Sequence, residues 1–156
     1  HSERRQILGE SDEFVARKVK AVLENDMIPI LCVGETEEER KEGQTEERIG
    51  SEIRTALFAL SKEETAKMVI AYEPIWAIGS GQAATPKDAE EIASFIRKTV
   101  KEAAGKKAAD EVRILYGGSV NGDNISYFLK QKNIDGALIG GASLKPDTMI
   151  DIYNKA

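Results

Sequence analysis

One cysteine, one histidine, one tryptophan and four prolines among 156 residues put several classes of protein out of reach. A lone Cys32 cannot build an internal disulfide framework. It stands in the apolar run Ile30-Leu31-Cys32-Val33, reads as a small buried hydrophobe and fits a reducing, cytoplasmic location. No apolar run is long enough to cross a bilayer and no signal-peptide pattern appears, so no membrane partner is expected. For the same reason the sequon Asn124-Ile125-Ser126 is discounted. A basic stripe is missing as well: 22 Lys and Arg face 27 Asp and Glu, a net charge of -5, which argues against a nucleic-acid partner. The acidic run Glu35-Thr36-Glu37-Glu38-Glu39 reads as a solvated helix start, with Thr36 and Glu39 forming a capping box, rather than as a metal site.

What is present is a regular alternation. With 41% hydrophobic and 31% charged residues, the chain has the composition of one globular unit with a substantial core, and no linker or composition break divides it. Val15, Val19, Val22 and Leu23 recur at helical spacing between Asp12 and Glu24, and Ile28 to Val33 follows as a strand. A second helical region, Thr36 to Leu60, is interrupted at Gly43 and carries Ile49, Ile53, Ala56, Leu57 and Leu60 on one face. Strand Met68 to Tyr72, a helix marked by Ala89, Ile92, Ala93, Ile96 and Val100, and strand Val112 to Tyr116 come next. A helix at about Gly122 to Lys130, strand Gly136 to Ile139 and a last helix from Ser143 to about Asn154 complete the series. Four strands alternating with about five helices imply an α/β fold with a parallel sheet and right-handed crossovers.

The most informative stretch is Ala71-Tyr72-Glu73-Pro74-Ile75-Trp76-Ala77-Ile78-Gly79-Ser80-Gly81. Met68 to Tyr72 is the β-branched, apolar run of a fully buried parallel strand, so Glu73 emerges at its carboxyl end, where α/β folds place ligands. Pro74 stops the strand, while Gly79 and Gly81 permit hinge angles and close approach to a ligand. Thr85-Pro86-Lys87-Asp88 then starts a helix. This is the anatomy of a general base beneath a lid, or equally of an ordinary βα loop whose glutamate faces water. Gly117-Gly118-Ser119 and Gly140-Gly141 follow the third and fourth strands, where backbone N–H groups can bind an anion without a basic side chain. Either pair alone makes a tight turn; both pairs with Gly79 at one face make a phosphate pocket.

These segments, with His1-Ser2-Glu3-Arg4-Arg5 and Cys32-Val33-Gly34-Glu35-Thr36, resemble the triosephosphate isomerase family in order and from end to end. The resemblance covers the family's later part, from just after its fourth strand. It implies one portion, residues 1–156, of a single (β/α)8-barrel domain. It also implies interconversion of dihydroxyacetone phosphate and D-glyceraldehyde 3-phosphate through an enediolate, with no metal or cofactor. Glu73 matches the base, and His1 matches the neutral imidazole that polarises the carbonyl, a pairing for which this family is the standard worked example. Glu3 matches a second carboxylate of the site; Gly79, Ser119, Gly140 and Gly141 match the phosphate positions; Pro74 to Ala84, with Ile75, Trp76, Ala77, Ile78, Gly79, Ser80 and Gly81, match the lid. The family also implies a phosphorylated triose as ligand and a homodimer.

The resemblance is incomplete at one point. The family's electrophilic lysine, with its neighbouring asparagine, lies in the first strand-loop unit, and nothing in this chain replaces it. Loss of one preorganised donor costs on the order of 10²- to 10³-fold in rate, so this chain alone is expected to be a poor enzyme. A chain opening on His1 rather than Met reads as a fragment, a processed chain or one with an omitted upstream segment. Four parallel strands cannot close a small barrel, so the isolated chain is expected to self-associate or stay loosely packed. Two other functions compete with the isomerase: a non-catalytic self-associating half-barrel, and a dinucleotide module built on Gly79, Gly81 and Ala84. That glycine fingerprint should follow a strand directly, which Glu73 to Ile78 prevents.

Overall fold

Four strands lie side by side and all parallel, in the order β1 (Ile30–Val33), β2 (Val69–Tyr72), β3 (Arg113–Tyr116) and β4 (Gly136–Ala137). The structure is a computed structural model that describes residues 1–78 and 83–156. Register runs straight across the sheet: Val33 pairs with Tyr72, Tyr72 with Tyr116, and Tyr116 with Ala137. All strand carboxyl ends therefore reach one face. Among the described residues nine α-helices surround the sheet: α1 (Ser2–Gln6), α2 (Asp12–Glu24), α3 (Glu37–Lys41), α4 (Thr45–Leu57), α5 (Lys62–Ala66), α6 (Pro86–Ala104), α7 (Lys106–Glu111), α8 (Ile125–Leu129) and α9 (Pro146–Lys155). The fold is α/β and has the strand pattern of part of a (β/α)8 barrel.

The core forms where the apolar stripes of α4 and α6 meet the sheet. Ile49, Ile53, Ala56 and Leu57 of α4 and Ala89, Ala93, Ile96 and Val100 of α6 are buried with Leu31, Val33, Ile70 and Ile114. β2 is buried along its whole length, as its continuous apolar sequence requires. Helix starts follow local chemistry. Thr85 accepts from the Asp88 N–H while the Asp88 side chain bonds back to the Thr85 N–H, with Pro86 at the first helical position.

Several boundaries differ from the sequence expectation. β1 begins at Ile30 rather than Ile28, because Pro29 has no N–H for the ladder and Met27 and Ile28 face outward. β4 ends at Ala137: the Leu138 N–H still donates to the Tyr116 carbonyl at 2.9 Å, and Leu138 and Ile139 line a cavity. The helix expected from about Gly122 starts only at Ile125. Upstream, the Asn121 side chain accepts the Asp123 and Asn124 N–H groups in a competing turn. Ser143 does not begin the last helix: it lies in a 3-10 turn, Gly141–Leu144, with its hydroxyl donating to the Gly140 carbonyl, and Pro146 opens α9. The expected five helices become nine because the Thr36–Leu60 region splits at Gly43, where φ is +72°, and the short α1, α5 and α7 are added.

Candidate active site

β2 delivers Glu73 to the carboxyl face and the adjacent strand fixes it there. Its N–H donates to the Val33 carbonyl at 2.8 Å, and the residue is 1% exposed. Two groups from the start of α1 hold the carboxylate. The Ser2 N–H donates to Oε2 at 2.8 Å, and His1 Nε2 stands 2.8 Å from Oε1. His1 is also the N-cap of α1, its Nδ1 accepting the Glu3 N–H at 3.2 Å. A ring that accepts at Nδ1 and donates at Nε2 is the neutral Nε2–H tautomer.

Around this pair opens a cavity of about 450 Å³, lined by His1, Glu73, Ser119, Gly140 and Gly141 among others. Five residues expected from sequence to act together are therefore brought together. Glu3 differs: it supplies its N–H to His1, but its side chain is exposed and does not line the cavity. The expected contact at Gly79 and the lid residues Ser80 and Gly81 lie outside the described residues. Among the described residues, no group of three or more His, Cys, Asp or Glu is placed to hold a metal ion, and no helix is long and apolar enough to cross a membrane.

Glycine permits the close packing behind Glu73. A Cβ on Gly34 would stand 1.8 Å from the Glu73 carbonyl oxygen, and one on Gly117 would stand 3.0 Å from Glu73 Cγ. A Cβ on Gly118 would meet the Tyr116 hydroxyl at 2.2 Å, the oxygen that accepts the Ala84 N–H at 3.2 Å and anchors the far end of the loop. Gly140 and Gly141 face open space.

The near end of the loop is anchored by Glu35, which overturns its expected place in a solvated run. Glu37 and Glu38 are exposed and Thr36 caps α3 as anticipated, but Glu35 is wholly buried. Its Oε1 accepts from Tyr72 at 3.1 Å, Trp76 Nε1 at 2.9 Å and Arg40 at 3.2 Å. The Arg40 guanidinium also stacks 4.6 Å over the Trp76 ring. These contacts grip the 3-10 turn Ile75–Ala77 that follows Pro74. Burial, with Glu35 beside it, raises the Tyr72 phenol far above its ordinary range, so it serves as a donor.

Cys32 is buried and free, as its setting in the sequence suggests. Burial first, and the nearby Glu73 carboxylate second, push its thiol up to about 12 from an ordinary 9.0. The thiolate fraction then falls roughly 10³-fold at neutral pH. Alkylation of Cys32 in the native protein, followed by mass spectrometry of its peptide, should be correspondingly slow and become rapid on unfolding. Fast native labelling would place the sulfur at the surface.

Sequence reasoning missed Ser2, Gly34 and Glu52. Ser2 acts through its backbone and leaves no side-chain signal. Glu52 did leave one: a carboxylate inside the apolar stripe Ile49-Ile53-Ala56, where it is 1% exposed.

The family model for triosephosphate isomerase matches residues 1–156. The triosephosphate isomerase of Roseiflexus sp. (strain RS-1) is 51% identical over 154 residues, 99% of this chain and 61% of that protein. That of Dictyoglomus turgidum is 51% identical over 152 residues, 97% of this chain and 61% of the relative. That of Clostridium tetani is 50% identical over 154 residues, 99% of this chain and 60% of the relative. The chain thus spans about three fifths of the length of the curated relatives it matches.

Proposed function

We propose, since this chain belongs to the triosephosphate isomerase family, that the protein interconverts dihydroxyacetone phosphate and D-glyceraldehyde 3-phosphate by proton transfer. The observation that carries the proposal is the Glu73 carboxylate, buried at the edge of a glycine-lined cavity and 2.8 Å from His1 Nε2. Glu73 takes the proton from the carbon beside the substrate carbonyl, whose electron pair flows into an enediolate. His1 Nε2–H donates to the carbonyl oxygen as charge develops there. The proton on Glu73 is returned to the adjacent carbon while His1 exchanges protons between the two oxygens, so no net oxidation or reduction occurs. Backbone N–H groups of Ser119, Gly140 and Gly141 hold the phosphate, which accounts for anion binding by an acidic chain. Pro74 to Ala84 close over the intermediate and exclude water, protecting it from phosphate elimination.

On the same reading the four β/α units are the C-terminal portion of one (β/α)8-barrel domain. The protein is a cytoplasmic homodimer of glycolysis and gluconeogenesis, without metal or cofactor. A coupled assay of the intact protein in both directions, in the presence of a chelator, tests the activity. Proton exchange at the substrate carbon into deuterated water should accompany turnover. Absence of both isomerisation and exchange would remove the proposal.

A further inference from the structure

Glu52 is a buried carboxylate that the proposed chemistry does not use, and its partners lead to both sides of the Glu73 site. Its Oε2 accepts the Gly34 N–H at 2.9 Å. Gly34 is the residue whose hydrogen lies against the Glu73 carbonyl, in a space closed to any side chain. Its Oε1 accepts from Arg48 Nη2 at 2.9 Å and stands 3.6 Å from Arg5 Nε. Arg5 belongs to α1, the helix whose first residues present His1 and the Ser2 N–H to Glu73.

We infer that Glu52 is a positioning residue for the Glu73 site: its ionised carboxylate ties α1, through Arg5, to the turn at Gly34 against which Glu73 is packed. The inference rests on the isomerase reading for its catalytic consequence, and on the contacts of Glu52 alone for the tie.

The charged groups facing Glu52 are few. Arg5 comes from α1, Asp12 from α2 and Arg48 from α4 itself; Glu39 of α3 reaches the cluster through Arg48 at 3.8 Å. Asp12 binds both Arg5 and Arg48. With Glu52 ionised, Arg5, Arg48, Asp12 and Glu52 form a neutral set of two cations and two anions. Protonation removes the negative charge that faces both Arg5 Nε and Arg48 Nη2. Arg5 Nη2, already without a hydrogen-bond partner among the described residues, then shares Asp12 with Arg48 and loses its hold on α4.

The set changes state near neutrality. Burial raises the Glu52 carboxyl to about 7 from an ordinary 4.5, against the lowering effect of Arg5, Arg48 and the Gly34 N–H. Because the folded value is raised, the stability Glu52 contributes is fully present below about 4.5 and is lost as pH rises through about 7. Catalysis runs the opposite way, since the ionised carboxylate is the one that makes the tie. Activity and stability should therefore diverge over the same pH window, a signature that a purely structural role does not produce.

The test compares the intact protein with Glu52→Gln. The amide keeps the Gly34 bond through its oxygen but carries no charge for the arginines and does not titrate. One unit below the midpoint about a tenth of the carboxyl is ionised, so the parent-to-variant ratio of kcat/KM should rise about tenfold from pH 6 to pH 8. Over the same interval the parent should lose melting temperature relative to the variant. A Glu52→Gln protein with parental kcat/KM throughout this interval would overturn the inference. Should the variant fail to fold, the Gly34 and Ser2 amide resonances of the parent decide: the two should titrate together near pH 7. Independent midpoints would sink the tie. Co-titrating amides in a parent with no isomerase activity at any pH would uphold the tie and remove the functional reading.

Discussion

Glu73→Asp should lower kcat of the intact protein by about 100-fold and change KM only a few-fold. A displacement of about 1 Å at the reacting atoms costs on this order, and the shorter side chain retracts the carboxylate by one methylene along the axis pointing at the substrate proton. On the proposed function substrate is held elsewhere, its phosphate by Ser119, Gly140 and Gly141 of the cavity wall, so ground-state affinity should survive. The retraction also breaks the two bonds that aim the native carboxylate, from the Ser2 N–H and His1 Nε2, both 2.8 Å. An unsatisfied buried N–H costs about 1 to 3 kcal/mol, so some loss of melting temperature should accompany the kinetic effect. Steady-state rates in both directions, taken well below the melting temperature of the variant, separate the two. Equal kcat in parent and variant would remove Glu73 as the base.

The parts of this site legible in the sequence are those in which one residue type has one physical reason to be where it is. Met68 to Tyr72 is apolar throughout because β2 is buried on both faces, and that fixes Glu73 at the strand end. Thr85, Pro86 and Asp88 announce α6 because capping is local chemistry, complete within four residues. Both glycine pairs line the cavity, Gly117-Gly118 directly after β3 and Gly140-Gly141 a short way beyond β4, because the apolar pattern gives the strands that carry them there.

What escaped depends on contacts between residues far apart in the chain. Glu35 sits in an acidic run that reads as solvated, yet Tyr72 and Trp76, 37 and 41 residues on, enclose it. No local periodicity carries that information. The role of Ser2 is carried by its backbone and is invisible to residue identity. Short elements failed for a related reason. A strand of two residues such as β4, or a helix of five such as α8, has too few positions to show a period, and side-chain turns such as the one at Asn121 decide its limits.

Gly34→Ala should be the most damaging alanine substitution among the described glycines. The added Cβ would lie 1.8 Å from the Glu73 carbonyl oxygen and 2.7 Å from its carbonyl carbon, so the obstacle is backbone rather than the end of a flexible side chain. Neither backbone is free to yield. Gly34 is held by Glu52 at 2.9 Å, and Glu73 by the Val33 carbonyl at 2.8 Å within the β1–β2 ladder. Restoring an ordinary contact requires a relative shift of more than 1 Å at the residue that bears the base. Overpacking of this kind costs about 3 kcal/mol, and the displacement should lower kcat on the order of 10²-fold. Gly141→Ala provides the contrast. Its Cβ would meet nothing within 4 Å and it lies inside the 3-10 turn Gly141–Leu144, so stability should change by less than about 0.5 kcal/mol. Because Gly141 lines the end of the cavity proposed to hold phosphate, any kinetic effect there should appear in KM. Urea denaturation with steady-state kinetics on both variants decides the matter. A Gly34→Ala protein with parental stability and kcat would show that the turn can move away from Glu73, and that the fit between them does not set the position of the base.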